Sequence, residues 1–102
     1  MGILEDTFGR NARIIVLESF LKNRNKITYL SGLAEETGLS HSSVSRALED
    51  LVRIGIVEEE PLGKQTRIFR LSEENKLTQL MIRFYEDLEE LQREIAQDRA
   101  SS

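Results

Sequence analysis

The sequence contains no cysteine and only one histidine, His41. The absence of thiols excludes disulfides, thiolate nucleophiles and thiolate metal sites. The sequence also lacks a nucleophile–base set, a cluster of metal-ligating side chains and a glycine-rich phosphate loop. No apolar run approaches the length of a membrane span, and the acidic N-terminus does not resemble a signal peptide. We therefore expect a cytoplasmic protein that is not an enzyme, uses no metal or other cofactor and does not enter a membrane.

Positive charge is also scarce for a protein that would bind a polyanion. The 102 residues carry 14 Lys and Arg against 18 Asp and Glu, a net charge of −4. Residues 1–72 hold ten side chains of each sign and are neutral, so the acidic excess lies wholly in residues 73–102. A neutral body can still present a basic face, but attraction of nucleic acid would depend on a few well-placed side chains.

The strongest pattern in the chain is residues 33–55, LAEETGLSHSSVSRALEDLVRIG, which predicts two short helices joined by a tight turn. Ala34 is small enough for the two helices to cross closely. Gly38 can adopt the left-handed conformation that ends the first helix, and Ser40 can cap the second. The predicted inward stripe of the second helix is Val44, Ala47, Leu48, Leu51 and Val52. Its outward start carries short polar groups and one basic group, as expected of a helix in a DNA major groove: His41, Ser42, Ser45 and Arg46.

The segments before this motif predict a helix and a very short strand. Residues 10–22 have the spacing of an amphipathic helix, capped by Thr7 or Asn11. The β-prone residues 27–29 favour a short strand, and residues 30–37 form the first motif helix with Thr28 or Ser31 as its cap. Apolar side chains in residues 1–9 are expected to dock on the chain's own last helix or on a partner chain.

Residues after the motif alternate with period two and predict a β-hairpin. Residues 56–60 and 66–71 form the two strands, with a turn over residues 61–65 in which Pro61 ends the first strand. Phe69 and Leu71 share one face of the second strand.

A long C-terminal helix follows, beginning at a Ser72 cap. It carries a heptad stripe that a body of this size cannot cover: Leu77, Met81, Phe84, Leu88, Leu91 and Ile95. Because exposed apolar area is costly, association with a second copy is the simplest explanation. The alternative is a helix that folds back on its own domain. We therefore divide the chain into a DNA-binding domain with its lead-in, residues 1–72, and a dimerisation helix, residues 73–102.

This order of elements resembles the winged helix-turn-helix transcriptional regulators of bacteria and archaea, the ArsR-like and MarR-like families most of all. The resemblance covers about residues 10–72 and rests on FGRNARIIVLESFL, LAEETGLSHSSVSRALEDLVRIGIV and EEEPLGKQTRIFRLS. It implies a mainly α fold with a small β-hairpin wing. It also implies that residues 40–46 enter the major groove, that residues 64–67 contact the adjacent backbone or minor groove, and that flanking helices form the dimer.

The residues expected to contact double-stranded DNA are Thr28, Ser40, His41, Ser42, Ser43, Ser45, Arg46, Lys64, Gln65 and Arg67. Alternatives stay open at two of the basic positions. The alternative for Arg46 is a pairing with Glu49 or Asp50, and Arg13 either contacts a phosphate or supports the body. Metal sensing of the ArsR-like type does not fit a chain with no cysteine, and no small-molecule effector is specified.

The function that these patterns favour is a sequence-specific DNA-binding transcriptional regulator acting as a homodimer. The alternative is a winged-helix module that binds another protein and does not bind DNA. The neutral charge of residues 1–72 is the best support for this alternative.

Overall fold

Five helices and one β-hairpin form the part of the chain that the computed structural model describes, residues 2–101. In order they are α1 Ile3–Phe8, α2 Ala12–Lys22, α3 Leu30–Thr37, α4 His41–Ile54, β1 Val57–Leu62, β2 Thr66–Leu71 and α5 Lys76–Ser101. This confirms the predicted fold class. The outer ends of the two predicted domains, Met1 and Ser102, lie outside the described residues.

The helix-turn-helix is formed by α3 and α4, as predicted. Gly38 ends α3 in the left-handed conformation with φ 75°, which a side chain would strain. Ser40 caps α4, and its Oγ accepts a hydrogen bond from the Ser43 backbone N–H at 3.1 Å. The inward stripe of α4 is buried at Val44, Ala47, Leu48 and Leu51, with Val52 half-buried.

The predicted cap of α3 was wrong. Tyr29 is the N-cap residue, and no side chain caps this helix. Thr28 lies one residue before the N-cap, and its backbone forms a bridge with Phe69, in which each residue's N–H donates to the other's carbonyl at 3.0 and 2.8 Å. This bridge supplies the expected third strand, reduced to a single residue pair.

The hairpin pairs β1 and β2 antiparallel, with Val57 opposite Leu71 and Leu62 opposite Thr66. The prediction that Pro61 ends the first strand was wrong, because β1 continues to Leu62 with Pro61 opposite Arg67. The register explains why. Phe69 directs its N–H and C=O toward Thr28, so neither Phe69 nor Arg67, two residues earlier, bonds to β1. The missing N–H of Pro61 therefore faces away from the ladder.

The last helix begins at Lys76, four residues after the Ser72 cap that the sequence suggested, so that cap was also wrong. Asn75 Oδ1 accepts from the backbone N–H groups of Leu77 and Thr78 at 2.8 and 3.2 Å. Ser72 instead extends the hairpin, since its N–H donates to Ile56 and its hydroxyl to Glu58.

The lead-in forms α1, which packs on α2 and α5 and places Leu4 in the core. Glu18 of α2 satisfies two of the free N–H groups at the start of α1. The buried Glu18 carboxylate accepts from Leu4 and Glu5 at 3.1 and 3.2 Å. Burial, together with the charge of Glu18 and a hydrogen bond to it, raises the pKa of Tyr85 on α5. Glu18 therefore connects three helices. The core lies between them and the motif, around Phe20, Leu33, Leu48 and Leu51.

Candidate nucleic-acid interface

The outward face of α4 is exposed at His41, Ser42, Arg46 and Glu49. Within residues 2–101 the Arg46 side chain makes no hydrogen bond and no ion pair, so neither of the pairings considered from the sequence forms. Its charge is close enough to contribute to lowering the pKa of Asp50. The guanidinium therefore remains available to a ligand that approaches the start of α4.

Three serines at the N-terminus of α4 form a directed hydrogen-bond cluster. The Ser40 hydroxyl donates to Ser43 Oγ at 2.9 Å, and the Ser40 and Ser42 oxygens lie 3.2 Å apart. Because a hydroxyl carries one proton, the donation from Ser40 to Ser43 requires Ser42 to be the donor in the second contact. The proton of Ser43 is then free to reach an acceptor outside the cluster. Ser40 therefore acts mainly as the helix cap. Ser43 is the one serine of the three whose hydroxyl does not donate within the cluster.

An open groove of about 550 Å³ separates this end of α4 from the first turn of α2. Ser42, Ser43 and Arg46 line it on one side, and Arg13 on the other. Arg13 Nη2 lies 2.6 Å from Asp50 Oδ2. The hydrogen bond from Arg13 is the main cause that holds the pKa of Asp50 below its usual range.

A second groove, of about 430 Å³, lies between the opposite side of α4 and the wing. Its polar lining is Ser45, Glu49, Glu59 and Arg67. Arg67 Nη1 is 3.1 Å from Glu59, so an acidic partner holds this arginine too.

The tip of the wing is exposed at Lys64 and Gln65, and neither side chain has a partner among the described residues. The other wing arginine, Arg70, lies 3.1 Å from Glu58 and 2.5 Å from Glu60. Lys64 is therefore the one basic group of the hairpin, within the described chain, that is not neutralised by an acid.

Nine of the ten residues predicted to contact DNA lie along the α4 face and the wing. Thr28 is the exception. It is 8% exposed, and its hydroxyl donates to the Tyr29 carbonyl at 3.4 Å. The pairing of Glu59 with Arg67 is not among the sequence predictions. The register of the hairpin indicates this ion pair, because it places Glu59 diagonal to Arg67 across the two strands.

A separate apolar surface runs along α5. Four of the six predicted dimer residues are exposed, namely Leu77, Phe84, Leu91 and Ile95, while Met81 and Leu88 are half-buried against the core. Phe8 of α1 extends this surface, with its ring centroid 6.1 Å from that of Phe84. An adjacent face of α5 is buried in the chain's own core through Thr78, Ile82 and Tyr85.

Over residues 2–101, no group of three or more acidic or histidine side chains is placed to hold a metal ion. In the same residues, no helix combines the length and apolarity that crossing a membrane requires.

Residues 15–61, a little under half of the chain, match the IclR helix-turn-helix domain. No curated protein matches the sequence significantly. Among solved structures, a possible transcriptional regulator from Methanosarcina mazei Go1 is 16% identical with a TM-score of 0.61, covering 90% of this chain and 77% of that one.

Two further structures share the fold. MepR, a transcription regulator of the Staphylococcus aureus multidrug efflux pump MepA, is 16% identical with a TM-score of 0.61, covering 96% of this chain and 78% of its own. Lactococcus lactis ZitR, solved in complex with DNA, is 14% identical with a TM-score of 0.58 and coverages of 96% and 68%. These likenesses establish a winged helix-turn-helix fold.

Proposed function

We propose that this winged helix-turn-helix chain is a cytoplasmic, sequence-specific double-stranded DNA-binding transcriptional regulator that acts as a homodimer. In this proposal α4 enters the major groove, and the wing contacts the adjacent backbone or minor groove. The observation that carries it is the exposed start of α4, where short polar side chains surround one unpaired arginine, Arg46.

The side chains at the start of α4 are of the types that can hydrogen-bond to the edge of a DNA base. Serine side chains are short and let the helix approach the groove closely. The Arg46 guanidinium can contact O6 and N7 of a guanine with two parallel hydrogen bonds, the commonest specific contact to a base. Lys64 and Gln65 at the tip of the wing can add backbone or minor-groove contacts.

The exposed half of α5 supports the homodimer. Every residue from Glu90 to Ala100 is exposed, yet this segment carries Leu91 and Ile95. An isolated helix of this length is marginally stable in water, so a second copy packed along the stripe would both cover the apolar side chains and hold the helix. A two-fold dimer would present two copies of α4 to half-sites about one helical turn apart.

The test is a titration of the full chain against mixed-sequence duplex DNA at low and moderate salt, followed by selection of bound fragments from random DNA. Binding that weakens as salt rises, together with a selected sequence of two-fold symmetry, is expected. Absence of binding at micromolar protein in low salt would reject the proposal.

The second candidate is a winged-helix module that binds another protein. The neutral wing favours it, because Glu58, Glu59 and Glu60 oppose the charges of Lys64, Arg67 and Arg70. This candidate predicts no affinity for duplex DNA at low salt, so the same titration separates the two.

A further inference from the structure

Two arginines flank α4, one in each groove. Arg13 lies in the groove toward α2, and Arg67 lies in the groove toward the wing. The outward ridge between them is formed by Ser42, Arg46 and Glu49. From the sequence, Arg67 is expected to contact DNA, whereas Arg13 either contacts a phosphate or supports the body.

We propose that Arg13 forms a second backbone-phosphate site, on the side of α4 opposite the wing, so that Arg13 and Arg67 contact the two different strands of the duplex. This inference rests on the proposed function. The ligand class is a DNA phosphodiester. The site consists of Arg13, the Ser43 hydroxyl and the flank of Arg46.

The shape of the duplex supports this arrangement. A helix in the major groove lies between two phosphate backbones, one from each strand, in a groove about 12 Å wide. Basic groups on both flanks of the helix can then meet both walls at once. A wing alone reaches only one wall, so Arg13 supplies the contact that the other side of α4 would lack.

The local chemistry supports a phosphate as the ligand. Arg13 donates one N–H to Asp50, and a guanidinium has five N–H donors. Arg13 can therefore keep this partner while it donates to a phosphate oxygen. Asp50 Oδ1 also accepts from Arg53 at 2.9 Å. The Asp50 carboxylate therefore stays paired even if Arg13 turns fully toward the ligand. The Ser43 side chain lines the same groove, so its hydroxyl can donate to a phosphate oxygen there.

The same pairs determine the charge on both flanks of α4 in the free protein. Asp50 holds Arg13, and Glu59 holds Arg67 at 3.1 Å. In the free protein these carboxylates neutralise both flanking arginines and hold them beside α4. Sequence-independent attraction is therefore small, and the contacts become effective only when α4 is seated between two strands.

The experiment compares Arg13→Gln with Arg24→Gln in the full chain. Arg24 is a matched control because it is also an ion-paired arginine, 4.0 Å from Glu86 and 52% exposed against 49% for Arg13. It follows the C-terminus of α2, whereas Arg13 is in the first turn. The probe is a duplex selected with the wild-type protein, and both variants are checked for unchanged thermal melting.

The slope of log affinity against log salt is negative, and we expect Arg13→Gln to reduce its magnitude by roughly 0.9, the value for one phosphate. The loss of affinity should then be roughly three- to fourfold larger at 50 mM than at 200 mM salt. Arg24→Gln should leave the slope unchanged. Equal slopes for the two variants would refute the Arg13 site, while failure of the wild type to bind any duplex would instead refute the proposed function.

A scan with single neutral methylphosphonates locates the contact. One phosphate whose neutralisation weakens wild-type binding should cease to matter in Arg13→Gln, and a second should cease to matter in Arg67→Gln. We expect these two phosphates on opposite strands. Finding both on one strand, or none that depends on Arg13, would overturn the inference.

Discussion

The carboxylate of Glu18 accepts a hydrogen bond from the backbone N–H of Leu4 at 3.1 Å, across 14 residues of sequence. A buried charge of this kind is tolerated because two helix-terminal N–H groups and the Tyr85 hydroxyl surround it. Gly2 completes the arrangement, since a Cβ at this position would collide with the Glu18 carboxyl group. The relationship fixes α1 against α2 and α5, and so determines where Phe8 lies beside Phe84.

Replacing Glu18 with glutamine should therefore destabilise the fold. The glutamine oxygen can satisfy only one of the two N–H groups, and its amide would face the other. We expect a loss of about 1–3 kcal/mol in the free energy of unfolding, the cost of an unsatisfied buried donor. Urea denaturation measures it, with Glu86→Gln as an exposed control that should change little. Equal midpoints for the two variants would contradict a role for Glu18 in holding α1.

Asn75, and not Ser72, should be the residue whose loss weakens α5. Removing an N-cap side chain costs about 1 kcal/mol, so Asn75→Ala should lower the free energy of unfolding by that amount. Ser72→Ala removes only a partly exposed bond to Glu58 and should change stability by about 0.5 kcal/mol or less. Thermal melting of both variants checks the order, and a larger effect at Ser72 would show that the helix begins earlier.

The pH dependence of the Arg13–Asp50 pair follows from the lowered pKa of Asp50. A group whose pKa in the folded chain is below its ordinary 3.8 stabilises the fold above that pH and loses this contribution as pH falls through the folded pKa. We therefore expect the stability difference between wild type and Asp50→Asn to shrink on acidification below pH 3.8.

NMR titration of the Asp50 carboxyl carbon measures the shift directly. In Arg13→Gln the Asp50 pKa should rise toward 3.8, because the hydrogen bond from Arg13 is its largest cause. Arg24 pairs with Glu86, so Arg24→Gln should leave the pKa of Asp50 unchanged. An Asp50 pKa that does not respond to Arg13 would rule out this pairing in solution.

Arg46 and Lys64 should affect DNA binding in different ways. If Arg46 contacts a base edge, Arg46→Gln should cost about 1–3 kcal/mol on the preferred duplex and relax the preference at one base position. Lys64→Gln should weaken binding to all sequences alike. It should also reduce the magnitude of the slope of log affinity against log salt by about 1, the contribution of one phosphate contact. Competition titrations with duplexes substituted at single positions separate these outcomes, and uniform weakening by Arg46→Gln would assign that arginine to phosphate instead.

The dimer is tested by placing charge on the exposed stripe of α5. Phe84→Glu combined with Leu91→Glu should give monomers in sedimentation experiments, because both side chains would need to be buried at an interface. Leu62→Glu on the wing is the matched control, since Leu62 and Leu91 are each 52% exposed. Leu88 is unsuitable for this test because it packs partly on the chain's own core. A dimer that persists in the double variant would refute the α5 interface.

The sequence by itself determined the elements whose signals are local. Gly38 and Ser40 set the turn between α3 and α4, because a left-handed helix end and a side-chain cap depend on neighbouring backbone groups alone. The period-two alternation of residues 66–71 gave the correct bounds of β2. The six-residue stripe on α5 was also visible as a heptad, although only four of its members proved exposed.

Tertiary structure decided everything that depends on partners distant in the chain. Thr28 had the right type and position for a helix cap, but pairing with Phe69 took its backbone into the sheet. Pro61 remained within a strand because the same pairing turned its missing N–H away from the ladder. Glu18 and Asp50 carry no sequence pattern that distinguishes them from surface acids. Their roles arise because folding brings a helix end or an arginine within hydrogen-bonding distance, and such encounters are fixed by packing and not by local propensity.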